Sequence, residues 1–159
     1  MLSQDSLASI DREIAKYPEG QKRSAVMAAL RIAQEEKGWL APETIEFVAS
    51  YLEIPPVAAY EVASFYNMYD LEPVGKHKIT VCTNLPCALS GGVHAAEYLK
   101  QKLGIDFGET TPDGLFTLKE GECMGACGDA PVMPVNNHHM SSWMTKEKID
   151  QLIEQLRAK

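Results

Sequence analysis

The chain has 159 residues, 45% of them hydrophobic and 23% charged, with 11 glycines and 9 prolines. This is the composition of an ordinary folded protein, long enough to bury a core and too apolar for disorder. A formal charge of −7 argues against partners bound through phosphates or an anionic lipid surface, and nucleic acid drops out. Met1 to Arg12 carries Asp5 and Asp11 and no apolar stretch of signal-peptide type, and the longest apolar run is Ala25 to Leu30. A membrane helix needs roughly 20 such residues, so neither an export signal nor direct membrane insertion is expected.

The first half predicts helix after helix. Leu7, Ile10 and Ile14 share one face of an opening helix, with Ser3 or Ser6 as N-cap, and Tyr17-Pro18-Glu19-Gly20 breaks it. Val26, Ala29, Leu30 and Ala33 repeat the stripe in a second helix that Gly38 is placed to end. Pro42 suits a first helical position before Ile45, Val48, Ala49 and Leu52, and Pro55-Pro56 opens a fourth helix through Val57, Val62 and Phe65.

The pattern changes at Pro73-Val74-Gly75. Lys78 to Cys82 alternates as a half-buried strand with Ile79 and Val81 facing one way. A helix over Gly92–Leu103 follows, with Val93, Ala96, Leu99 and Leu103 as its apolar face; Asp113-Gly114 then turns the chain into a strand over Leu115–Lys119. Pro131 to Val135 reads as an edge or irregular strand, because its two prolines cannot donate to a central ladder. His139 to Trp143 supplies another short strand, and Thr145 caps a closing helix striped by Ile149, Leu152, Ile153 and Leu156. The fold class is α+β: a helical N-terminal region, residues 1–73, then an α/β unit with a small mixed sheet, residues 74–159.

The chemistry-bearing residues are four cysteines, Cys82, Cys87, Cys123 and Cys127, spaced C-x4-C, 35 intervening residues, then C-x3-C. Both pairs fall at strand ends and in loops, and in a compact sheet two such loops can share one end. Converging thiolates can hold a tetrahedral zinc or an iron–sulfur cluster. Two disulfides are the plain alternative, disfavoured where no export signal is seen. Zinc knuckles prefer C-x2-C, whereas a [2Fe–2S] rhomb accepts wider, unequal loops, and Gly125 and Gly128 let backbone amides approach sulfur. A dithiol enzyme lacks its C-x-x-C.

Asp113-Gly-Leu-Phe116-Thr117, five residues, then Cys123-Met-Gly125-Ala-Cys127-Gly-Asp-Ala130-Pro131 resembles the signature D-x2-F-[ST]-x5-C-L-G-x-C-x2-[GA]-P, with Met124 in place of Leu. That signature belongs to the thioredoxin-like [2Fe–2S] subunit of respiratory complex I, the bacterial NADH:quinone oxidoreductase, and to its mitochondrial counterpart, the flavoprotein-2 subunit. Val62-Ala-Ser-Phe65-Tyr66, Pro73-Val-Gly75-Lys, Gly38-Trp39-Leu40 and Ile54-Pro55 resemble the family's upstream segments, so the likeness covers nearly the whole chain. It implies a thioredoxin-like ferredoxin domain after the helical region, and one [2Fe–2S] cluster held by Cys82, Cys87, Cys123 and Cys127. It further implies a partner subunit carrying FMN and NADH, and through it the iron–sulfur peripheral arm of a translocase. The expected place is the cytoplasmic side, peripheral to the inner membrane. The cluster would exchange single electrons with the partner's flavin, beside the main electron path. Related subunits of NAD-reducing hydrogenases and NAD-dependent formate dehydrogenases are a second assembly, and a zinc-stabilised interaction module is a reading of another class.

The remaining residues carry no chemistry of their own. Neither a G-x-G-x-x-G nor a Walker loop is present, so no substrate site and no catalytic residue are expected in the chain itself, and the resemblance implies an electron carrier. His77, His94, His138 and His139 show no metal spacing, and His138-His139 reads as a polar turn. Glu120, Glu122 and Asp129 are either a solvated acidic loop or charges that lower the cluster's potential. Phe65-Tyr66-Asn67-Met68-Tyr69 is a partner surface or packing between the two halves, and Trp39 and Trp143 are expected in the core.

Overall fold

The structure, a computed structural model, describes residues 1–158. The chain divides into two compact units, Met1–Pro73 and Val74–Lys159.

The first unit is a bundle of four helices: α1 (Gln4–Ile14), α2 (Val26–Lys37), α3 (Pro42–Tyr51) and α4 (Pro56–Phe65). Its boundaries follow local chemistry. The Ser3 hydroxyl accepts the Ser6 N–H at 3.2 Å to cap α1, and Gly38, at φ 83°, closes α2 by donating its N–H to the Gln34 carbonyl at 2.7 Å. Prolines occupy the first turns of α3 and α4, where a missing N–H costs nothing. Ile10, Leu30, Leu40, Ile45, Val48 and Leu52 fill the core. A 3₁₀ turn, Lys22–Ala25, leads into α2.

Two expectations are corrected here. The buried face of α4 is made by Ala59 and Ala63, while Val57 and Phe65 are 62% and 79% exposed, because small residues allow α4 to lie close against α2 and α3. The aromatic segment also divides: Tyr69 is buried in the bundle, its hydroxyl donating to the Met27 carbonyl at 2.8 Å, whereas Phe65 and Tyr66 stay exposed as an edge-to-face pair.

The second unit is a four-stranded mixed sheet in the order β2-β1-β3-β4, with β1 (His77–Cys82), β2 (Phe116–Gly121), β3 (Met133–Val135) and β4 (His139–Ser141). Strands β1 and β2 pair in parallel from His77↔Phe116 to Cys82↔Gly121, so both cysteine-bearing loops leave the same end of the sheet. The parallel pair is joined through the short helix α5 (Leu85–Leu89) and α6 (Gly92–Leu103), as parallel pairing requires a crossover. With α7 (Lys146–Arg157), α6 covers the face that carries Ile79, Val81, Phe116, Leu118, Met133 and Val135. Cys82 has the opposite parity to Ile79 and Val81, and it packs in a separate small cluster.

The structure departs from the sequence expectations at four places. Strand β3 lies inside the sheet, between β1 and β4, and not at an edge. The sheet tolerates Pro134 because backbone groups alternate sides, which turns its missing N–H toward β1, where only Ile79↔Val135 is in register. On either side, Cys82 N–H donates to the Val132 carbonyl at 3.3 Å and Asn136 N–H to the Lys78 carbonyl at 2.9 Å. The second departure is the tight hairpin into β4, in which Asn136 and Asn137 take φ of 51° and 61°, conformations asparagine accepts better than most residues; His138 sits in this turn and His139 begins the strand. Third, Val93 points outward from α6, whose buried residues are Gly92, Ala95, Ala96, Leu99 and Leu103. Fourth, Trp39 is half-buried and Trp143 is 56% exposed, held at φ 50° in the turn before α7. Among the described residues no helix is long and apolar enough to cross a membrane.

Candidate metal centre

Strand β1 delivers Cys82 at its last position, buried. Two residues on, the Asn84 side chain accepts the Leu85 N–H at 2.7 Å and starts α5, with Pro86 in its first turn. Cys87 is therefore carried by a one-turn helix and not by an open loop as expected; Asn84-Leu85-Pro86 is the start signal in the sequence. Pro86 lacks an N–H, but at this helix position that group would have had no backbone partner.

Helix α6 begins against the cysteines. A Cβ on Gly92 would stand 2.8 Å from the carbonyl oxygens of both Cys82 and Cys87, so only glycine allows this approach. Val132 ties the same two residues: its carbonyl accepts from Cys82 N–H, and its N–H donates to the Cys87 sulfur. Neither Gly92 nor Val132 stands out in the sequence; the Gly91-Gly92 pair ahead of a helix is the available signal for the first.

The second loop leaves β2 at Gly121. Cys123 and Cys127 are exposed, and Cys127 opens a short 3₁₀ turn to Asp129. Gly125, at φ 66°, directs its N–H to the Cys123 sulfur at 3.4 Å. The loops meet where the Cys82 thiol approaches the Glu122 carbonyl at 4.0 Å, and where the Thr83 hydroxyl donates to the Glu120 carboxylate at 2.6 Å. The Asp129 carbonyl accepts Trp143 N–H at 2.8 Å, fastening the exit of the loop to the turn before α7.

Cys82, Cys87 and Val132 form a small apolar cluster against which Met124, Ala126 and Ala130 pack. Burial pushes the Cys87 thiol up to about 11, its hydrogen bond with Cys82 and the nearby Cys82 and Cys127 charges push the same way, and the Val132 N–H opposes them. Cys82, Cys87 and Cys127 are thus close enough to feel one another, with Cys123 on the exposed side of the loop. Among the described residues no three His, Cys, Asp or Glu side chains gather around a single point. The histidines lie elsewhere: His77 at the far end of β1 from Cys82, and His94, His138 and His139 on the surface. The donor set is sulfur alone, split between a buried pair and an exposed pair, with amide N–H groups aimed at a sulfur of each. This fits a two-iron, two-sulfide rhomb, which takes thiolates in pairs and gains from amide hydrogen bonds to sulfur.

Four thiols at one end of a parallel strand pair, from β1, α5 and the loop after β2, are a donor set that a ferredoxin-type cluster can use. The chain belongs to the thioredoxin-like [2Fe-2S] ferredoxin family, whose sequence model matches residues 10–157. It is 47% identical over 143 residues to the E-type subunit of the NADH-quinone oxidoreductase of Rickettsia felis, covering 89% of this chain and 85% of that one. NADH-quinone oxidoreductase subunit 2 of Thermus thermophilus is 41% identical over 149 residues, covering 94% and 82%. In fold the chain also resembles part of a crystallised NAD+-reducing [NiFe]-hydrogenase, with a TM-score of 0.69 at 21% identity. That likeness covers 82% of this chain and 22% of the hydrogenase chain.

Proposed function

We propose that this chain is the electron-carrier subunit of an NADH:quinone oxidoreductase, with Cys82, Cys87, Cys123 and Cys127 as the ligands of its [2Fe–2S] cluster. The observation that carries the reading is the placement of these cysteines at one end of the parallel β1–β2 pair, in a chain 47% identical to one component of such an enzyme over 85% of that component's length.

When bound, the cluster supplies one-electron transfer. The chain's own residues hold and tune it. Cys82 and Cys87 would keep one side against buried apolar surroundings, where a change of charge is felt strongly, and Cys123 and Cys127 leave the other side open to solvent or a partner. Gly125 N–H and Val132 N–H stabilise negative charge on sulfur, one for each pair. Hydride chemistry belongs to a partner subunit that binds NADH and FMN, and the chain reaches the membrane through the larger complex. The hydrogenase likeness is one of fold alone.

The test is an EPR spectrum of anaerobically purified protein before and after dithionite, with iron and acid-labile sulfide assayed on the same sample. A binuclear S = ½ signal that appears on reduction, at two irons per chain, is the expected result; zinc without sulfide overturns it. Co-purification with membrane subunits separates the quinone reductase from a soluble hydrogenase or formate dehydrogenase.

A further inference from the structure

We propose that Met124 is a positioning residue for the cluster, keyed into a hollow that Gly121 leaves at the end of β2. The inference rests on the reading of the four cysteines as cluster ligands and deepens it. A Cβ on Gly121 would overlap the Met124 Cε methyl and would stand 2.8 Å from the Thr80 Cγ2 atom. The thioether tip therefore occupies the space of the missing side chain, beside Thr80 on the neighbouring strand. Gly121 is the last residue of β2, paired with Cys82, so the hollow is fixed to the strand pair that carries the first ligand. Met124 follows Cys123 directly and is partly buried against the Cys82–Cys87–Val132 cluster. One side chain thus links the exposed ligand loop to the framework of the buried pair.

The rest of the loop has few such ties. Gly125 and Gly128 have no side chains, a Cβ at either would meet nothing within 4 Å, and Cys123 and Cys127 are exposed. Without the Met124 key, Ala126 and Ala130 on the same cluster and the contacts of Glu120 and Glu122 with Thr83 and Cys82 are left to hold Cys123 at a set distance from Cys82. An unbranched, polarisable side chain suits a narrow hollow of this kind. Leucine has about the same volume and is apolar, so it fills the hollow in part, whereas alanine leaves it empty.

The test is a double-mutant cycle on the anaerobic, cluster-loaded chain with Gly121→Ala, Met124→Ala and the pair, and with Met124→Leu as the conservative variant. The readouts are the reduction potential, the g values of the reduced protein and the rate of iron loss to a chelator. Met124→Ala is expected to shift the potential and to release iron roughly 5- to 30-fold faster, the factor that corresponds to about 1–2 kcal/mol of packing lost from a partly buried side chain. Met124→Leu should restore most of both. Gly121→Ala displaces the key, so adding Met124→Ala to it should change little. Additive effects on iron loss, or a potential and g values that Met124→Ala leaves unchanged, overturn the proposal. Should Gly121→Ala fail to fold, the Ala and Leu variants at Met124 decide it alone. Amide exchange of residues 122–128 in metal-free protein gives a readout independent of the cluster: faster in Met124→Ala if the key holds the loop, unchanged if it does not. Failure of the wild type to bind iron and sulfide would instead sink the underlying assignment.

Discussion

Gly92 and Gly128 sit on either side of the cysteines and differ in what surrounds them. At Gly92 the atoms that a Cβ would meet are backbone oxygens of Cys82 and Cys87, which no rotamer change can move aside. An alanine there must push α6 or both ligand segments away, an overpacking that costs about 1–3 kcal/mol. Gly128 faces open space without a left-handed φ. Gly92→Ala is therefore expected to bind markedly less iron and sulfide per chain and to unfold at lower denaturant, while Gly128→Ala loads like the wild type. Parallel iron, sulfide and denaturation measurements check this, and equal loading in the two variants would show that the Gly92 contact is not needed for the site. Gly125 differs again: at φ 66° an alanine would be strained by about 1 kcal/mol, with its N–H still available to Cys123.

Among the elements, α1 depends most visibly on a single ionisable group. Both the N–H and the hydroxyl of Ser3 donate to the Glu36 carboxylate at 2.9 Å, which anchors the start of α1 to the last turn of α2. The Lys37 ammonium at 2.8 Å holds the Glu36 carboxyl down most strongly, and with the serine hydrogen bonds it brings it to about 2 from an ordinary 4.5. A depressed carboxyl contributes its full share of stability above the unfolded value, and loses it as pH falls from 4.5 toward 2, where the unfolded chain takes up the proton first. Amide protection factors at the start of α1, corrected for the pH dependence of intrinsic exchange, should fall as pH drops through that window, and Glu36→Gln should flatten the dependence; an unchanged profile in the variant would refute the link. The elements of this first unit are largely legible in the sequence, because serine caps, first-turn prolines and Gly38 mark boundaries by local chemistry alone. Helix α5 escapes such a reading because five residues are too few to show a period. Strand β3 escapes it because the sheet position that accepts Pro134 depends on hydrogen bonds from Cys82 and Asn136, which only the fold brings together. The four cysteines are legible by type and spacing, whereas Gly92, Val132 and the fit of Met124 over Gly121 are tertiary facts with no local period or motif.

At the scale of the whole molecule, three apolar clusters divide the work. Residues 1–73 have their own core and contain no cysteine, and the sheet of the second unit packs on α6 and α7 through residues that exclude the cysteines. Only the small cluster around Cys82, Cys87 and Val132 shares its atoms with the candidate ligands. A group that binds the folded state alone adds stability by mass action, and that contribution falls on whatever must unfold to release it. Removal of iron should then act unevenly. Amide protection is expected to drop across Cys82–Gly92 and Gly121–Val132, to weaken modestly in β1 and β2, and to stay unchanged in α1 to α4. Hydrogen exchange of loaded and metal-free protein at one pH measures this directly. A uniform loss of protection through residues 1–73 would mean that the bundle draws its stability from the cluster despite a core of its own. A loss confined to the two ligand segments would mean that the sheet and bundle stay folded without the metal and offer the four thiols an assembled scaffold.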